Sequence, residues 1–134
     1  MSQHTLYLIG GEKDEKATLT TEERGEICHI TFQYRNRVIE ASDRDYFEAF
    51  CQIRLQLEQE FLLPFCYGAS LNVFPSGMSR DMGLGLKAYR LTKGHQAFNK
   101  DLVSIFDAGP DVIPSFVVNQ KEYYEDWIES LKAL

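Results

Sequence analysis

Period-two alternation opens the chain. In "ICHITFQY" (Ile27 to Tyr34), Cys28, Ile30, Phe32 and Tyr34 fall on one face, and His29, Thr31 and Gln33 fall on the other. One apolar face at this period predicts a half-buried strand. "HTLYLI" (His4 to Ile9) precedes a Gly10-Gly11 turn and the charged tip "EKDEK". "ATLTT" (Ala17 to Thr21) is a second short strand, and "RNR" (Arg35 to Arg37) turns the chain into "VIEA". The first part of the chain therefore predicts antiparallel strands.

The period then changes. In "SDRDYFEAFCQIRLQLEQEF", Tyr46, Phe50, Ile53, Leu57 and Phe61 step by four, three, four and four, which is one helical face. Ser42 is the expected N-cap, with Asp45 three residues on and Asp43 beside it at the positive end of the dipole. Pro64 is the expected stop. "ASLNVF" (Ala69 to Phe74), "GLKAYRL" (Gly85 to Leu91) and "DLVSIF" (Asp101 to Phe106) predict further strands, the last ended by Gly109-Pro110. A final helix is expected from Pro114 or Ser115 to the C-terminus. Val117, Tyr124, Trp127, Ile128 and Leu131 form its buried stripe, widened by Tyr123. Strands cluster instead of alternating with helices. The fold class expected is α+β: a single mainly antiparallel sheet with two helices packed on one face.

Composition adjusts this picture in three ways. First, 134 residues with 44% hydrophobic content suit a single globular domain, residues 1–134, with no repeat or linker. Second, the net charge of −6 opposes a polyanionic partner, so no nucleic acid is expected, and an acidic surface favours a basic protein partner through steering. Third, the apolar run Leu6 to Ile9 is too short for a signal-peptide core, and nothing reaches the length of a membrane span. A cytoplasmic location without a membrane partner is expected. Cys28, Cys51 and Cys66 then read as free apolar thiols.

The stretch "NVFPSGMSRDMGLGLKAYR", Asn72 to Arg90, concentrates the candidate chemistry. Gly83, Gly85 and Ala88 spell G-x-G-x-x-A, but no strand–turn–helix unit surrounds them, and the Walker pattern is absent. Ser76 and Ser79 lie outside a nucleophile elbow. His95 with Asp81 or Asp101 would complete a hydrolase constellation only by chance, and a tight Pro75-Ser76-Gly77 turn explains the serines more simply. Cys28 and His29 are adjacent on a strand, so they face opposite ways. Even with His4 they do not make a metal site, and no metal or other cofactor is expected. Arg80, Lys87 and Arg90 fall within eleven residues, interleaved with Met78, Met82 and Leu84. Cations beside flexible thioethers suit a recognition surface or an anion site. The binding residues expected are Ser76, Ser79, Arg80, Asp81, Lys87 and Arg90.

"LNVFPSGMSRDMGLGLKAYRL", "DLVSIFD" and "VIPSFVVNQKEYYEDWIESL" together resemble a group of small bacterial proteins of unknown function. These are similar in size and charge to the immunity proteins of polymorphic toxin systems, which often accompany contact-dependent or Rhs-type toxins. The resemblance covers Ala69 to Leu131. It implies an intracellular, non-enzymatic inhibitor that binds one cognate toxin domain, and it carries no catalytic residues with it.

Three readings follow. The first is an immunity protein that blocks a basic toxin domain, with Glu12, Asp14, Glu15, Glu22, Glu23 and Glu26 as acidic contacts and the methionine-bearing loop as an apolar anchor. The second is a small enzyme or ligand-binding domain that uses the glycine-rich loop at 75–90 as an anion site. The third is a homodimer joined through a patch drawn from Tyr7, Tyr34, Tyr89, Tyr123 and Trp127.

Overall fold

The computed structural model describes residues 1–132. Eight strands and three helices are arranged as an α+β fold with two sheets. Strands β1 (Ser2–Ile9), β2 (Glu15–Arg24), β3 (Ile27–Tyr34) and β4 (Arg37–Asp43) form a curled meander, which β5 (Leu63–Phe65) extends beside β1 in the order β4-β3-β2-β1-β5. The second sheet holds β6 (Val73–Phe74), β7 (Lys87–Arg90) and β8 (Leu102–Ser104) in sequence order. Every strand pair in both sheets is antiparallel.

Helix α1 (Tyr46–Glu58) packs against the core face of the large sheet. Helix α2 (Gly77–Met82) lies inside the Asn72–Arg90 stretch, and α3 (Val117–Leu131) packs on β6 and α1. One hydrophobic cluster runs from Leu6, Leu19, Ile30 and Phe32 through Phe50 and Leu57 to Val73, Ala88 and Ile105, so both sheets share it.

The strands form where the apolar period predicts them. Strand β3 spans Ile27–Tyr34 as expected, with its even-numbered residues buried. The β3–β4 turn narrows to Arg35 and Asn36, both at positive φ (50° and 59°), which is the backbone of a two-residue hairpin. Strand β4 runs on to Asp43, so Ser42 belongs to the sheet and does not cap α1. The cap is Asp45, whose carboxylate accepts from the Glu48 N–H at 2.8 Å. Helix α1 ends before Phe61, which turns outward at φ 59° and is 75% exposed. Pro64 lies within β5.

The later elements depart more. The strand expected from Ala69 shrinks to Val73–Phe74, because a 3₁₀ turn occupies Tyr67–Ala69. Helix α3 begins at Val117, without a side-chain cap from Phe116. Its first N–H donates instead to Glu58 Oε2 at 2.8 Å, so the last residue of α1 caps α3. The end of the expected final helix, residues 133–134, lies outside the described residues.

Candidate functional site

The stretch from Asn72 to Arg90 is built around α2. Ser76 caps that helix by accepting from the Ser79 N–H at 3.0 Å. At the other end, the Ser79 carbonyl accepts from the Gly83 and Gly85 N–H groups at 2.9 and 3.0 Å. Leu84 and Gly85 then take positive φ (56° and 70°). This reversal lets the Leu84 carbonyl receive the Tyr46 N–H at 2.7 Å, at the start of α1. A Cβ on Gly85 would lie 2.7 Å from Asp45 Oδ1, so glycine is required both by its φ and by this approach. The glycines serve to dock the loop against the cap of α1.

The six expected binding residues part company. Ser76 and Ser79 are spent on the turn, the latter also donating through its hydroxyl to the Lys87 carbonyl at 2.6 Å. Arg80 folds back over the Phe47 and Phe74 rings, 5.1 and 5.4 Å from their centroids, between Asp45 (3.6 Å) and Glu48 (3.4 Å). A planar cation held on two ring faces and two carboxylates is a clip between α2 and α1. Asp81 is exposed, one position further round the helix. Lys87 donates to Ser104 Oγ across β7 and β8 at 2.7 Å. Arg90 lies beyond the loop, against Asp111 (3.1 Å) and the Lys100 carbonyl (3.3 Å). The loop thus gathers Ser76, Ser79 and Arg80 but sends Lys87 and Arg90 to separate partners.

Outward, α2 presents Met78 and Met82, one turn apart and 72% and 83% exposed. Beside the Arg80 clip a cleft of about 320 Å³ opens between α1 and α3, lined by Phe47, Cys51, Leu55, Phe74 and Val117, with Gln120 and Lys121 on the α3 side. Leu55 is half exposed, and Val118 next to Val117 is 57% exposed. A second cleft, of about 390 Å³, lies along the other flank of Phe74, against Pro75, Tyr89, Tyr124, Trp127 and Leu131. Its aromatic rings are ordered. Phe74 and Tyr124 stack at 4.1 Å and 11°, and Tyr124 and Trp127 follow at 6.1 Å and 22°. The stripe expected to bury α3 is therefore only half covered, and the one fully buried residue of the helix is Gln120, which the stripe did not include.

Gln120 meets a residue that periodicity passed over. Arg54 is 1% exposed, donating to the Gly68 carbonyl (3.1 Å), the Ser115 carbonyl (3.1 Å) and Gln120 Oε1 (2.6 Å). The Gln120 amide donates in turn to the carbonyls of Gly68, Ser70 and Val73. Burial pushes the Arg54 pKa down. Its position four after Phe50 and three before Leu57 was the sequence signal that could have placed it inside.

The outer face of the large sheet carries one further constellation. His29 Nδ1 lies 2.6 Å from Ser42 Oγ, and its Nε2 lies 2.9 Å from Glu40 Oε1. The residue types are those of a nucleophilic triad, but all three stand on adjacent strands of one sheet face, side by side along the β3–β4 ladder. They form a polar ladder that satisfies a nearly buried imidazole. His4 faces the core side, its ring tilted at 44° against Phe106 with centroids 5.0 Å apart, away from His29. Among the described residues no group of three metal-ligating side chains assembles.

Of the expected acidic contacts, Glu12, Asp14, Glu23 and Glu26 are exposed, while Glu15 pairs with Arg35 (2.6 Å) and Glu22 with Arg24 (3.2 Å). The five aromatic residues offered as a dimer patch are divided. Tyr34 is buried, Tyr7 is on β1, and Tyr89 and Trp127 line the aromatic cleft, with Tyr123 beside it under the Lys93 ammonium. No helix among the described residues is long and apolar enough to cross a membrane. No protein-family model matches this chain, and no curated protein is significantly similar to it.

Proposed function

We propose that this chain is a non-enzymatic binding protein of the cytoplasm that neutralises a cognate bacterial toxin by direct contact. The observation that carries the reading is the exposure of Met78 and Met82 on a helix that cannot swing freely. Ser76 caps α2, Ser79 ties it to β7, and Arg80 clips it to α1. Two flexible thioethers on a fixed support give an adaptable apolar anchor at low ordering cost. Leu55 and Val118 extend the apolar ground on α1 and α3. Glu48, Lys121 and Asp81 supply polar groups around it.

The net charge of −6 steers a basic domain toward this surface, and the exposed acids at Glu12, Asp14, Glu23 and Glu26 add to the long-range field. Inhibition follows from covering the partner's active surface, with no chemical step and no cofactor.

The test is capture of the tagged protein's partner from the source cells, followed by reconstitution of the purified pair. The reading expects a stoichiometric complex that removes the partner's toxicity, and its loss in Met78→Glu/Met82→Glu at unchanged melting temperature. A partner that binds both forms equally, or one whose activity survives in the complex, refutes it.

A further inference from the structure

The aromatic cleft has a neighbour. A second hollow, of about 290 Å³, is lined by Arg90, His95, Phe98, Lys100 and Asp101, and the two meet at Gln96, which lines both. Their chemistries are complementary halves. The first is lined by Phe74, Tyr124 and Trp127, whose rings stack on one another, and by Pro75 and Leu131, and its indole N–H is already committed to the His95 carbonyl at 2.9 Å. It therefore suits a flat apolar body.

The second hollow offers donors. The Lys100 ammonium and the His95 ring have no hydrogen-bond or ion-pair partner among the described residues, and both are exposed to the hollow. Arg90 is held in place by Asp111 and by the Lys100 carbonyl. The single carboxylate lining the hollow, Asp101, accepts from the Phe98 N–H at 2.9 Å, which engages it with the backbone of its own turn. Lys100 and His95 remain free, beside the other oxygen of the Asp101 carboxylate.

We propose that these adjoining clefts form one binding site for a small organic anion. Its planar apolar body would lie against Tyr124 and Trp127, and its phosphate or carboxylate head would reach Lys100 and His95. The site takes Pro75, Tyr89 and Arg90 from the two ends of the 75–90 stretch but not its glycine turn, and Arg80 and Lys87 are engaged internally. It is independent of the toxin-binding reading, which uses the other flank of Phe74.

Trp127 is the only tryptophan in the chain, so its indole N–H gives a single assignable resonance. The probe is 1-naphthyl phosphate, with 1-naphthol and inorganic phosphate as its separated halves. Naphthyl phosphate is expected to shift the indole resonance saturably and to bind at least about tenfold more tightly than either half. Lys100→Ala, on an exposed turn, should reduce that advantage to near nothing while leaving naphthol binding unchanged. The proposal is overturned if naphthyl phosphate fails to bind at millimolar concentration, if it binds without moving the indole resonance, or if Lys100→Ala leaves its affinity intact.

Discussion

Arg54 Nη1 lies 2.6 Å from Gln120 Oε1, and this bond joins α1 to α3 across the centre of the molecule. The guanidinium is buried with backbone carbonyls and one amide for company. No carboxylate neutralises it among the described residues. Such a charge is costly to bury: Nη1 and Nη2 meet acceptors, while the buried Nε–H has no hydrogen-bond partner among the described residues.

Arg54→Ala should lose about 2–4 kcal/mol of stability in urea denaturation, because it opens a cavity and strips a donor from the Ser115 carbonyl and from Gln120. Arg54→Met should lose less, since it fills the volume and removes the desolvated charge. Gln120→Ala takes one donor from each of the Gly68, Ser70 and Val73 carbonyls, and the double variant should show a coupling of about 1 kcal/mol or more. Strict additivity would mean that the two side chains act separately.

Arg80→Ala should cost about 1–2 kcal/mol by removing the contact with the Phe47 and Phe74 rings and the pairs to Asp45 and Glu48. Arg80→Lys keeps the charge but not the planar stack, so it should fall between the two. Hydrogen exchange at the α2 amides should quicken in both. A lysine variant as stable as the parent would show that charge alone holds the clip.

Alkaline pH should destabilise the fold through its thiols. Burial pushes the Cys51 pKa up to about 11 and the Cys66 pKa up to about 12, from an ordinary value of 9.0. Between pH 9 and 11 the unfolded chain releases these protons while the folded chain keeps them, so stability is full below 9 and falls as pH rises. The slope is about 1.4 kcal/mol per pH unit for each thiol. Cys66→Ala should flatten the curve by one such step. The Tyr46 hydroxyl, buried without a partner and pushed up to about 12, steepens the loss above pH 10. Iodoacetamide at pH 8 should label neither Cys51 nor Cys66 in the folded protein, as read by mass spectrometry.

Gly85→Ala should destabilise by about 2 kcal/mol or more, since the new Cβ meets Asp45 Oδ1 and its φ of 70° is unfavourable for any L side chain. Gly77→Ala, at a position with open space around the added carbon, should be neutral or stabilising. Thermal melts of the pair separate glycines needed for docking from those that merely occupy the loop.

The elements legible in the sequence are those in which one face is buried along its length. Strand β3 shows this best: all four residues of its apolar face are buried, and His29 is the one residue of the other face that is buried too. Boundaries failed where local signals competed. Ser42 has the chemistry of a cap, but the ladder with β3 continues to Asp43 and claims it. Phe61 continues the apolar stripe of α1 in sequence, yet the backbone leaves the helix before reaching it. Helix α2 has six residues, none buried, so no period could show it; only Ser76 announced its start. At the candidate site, Arg80 and Lys87 read as free cations because their partners come from α1 and β8, far away in sequence. Arg54 was hidden by its residue type, since an arginine beside an apolar stripe reads as solvent-facing unless its neighbours at −4 and +3 are weighed.

The link between Arg54 and Gln120 also sets a timetable for synthesis. Gln120 follows Arg54 by 66 residues, which at about 5–20 residues per second is roughly 3–13 s of translation. For most of that interval the Ser115 carbonyl and the Gln120 amide do not yet exist, and of the three acceptors only the Gly68 carbonyl, 14 residues after Arg54, has been made. The meander of β1 to β4 can pair as it emerges, because its contacts are local. Helix α1 cannot seal its guanidinium against the core until the final helix arrives. A nascent chain halted before residue 115 should therefore expose α1 to chaperones and proteases, and only arrival of the last segment closes the molecule.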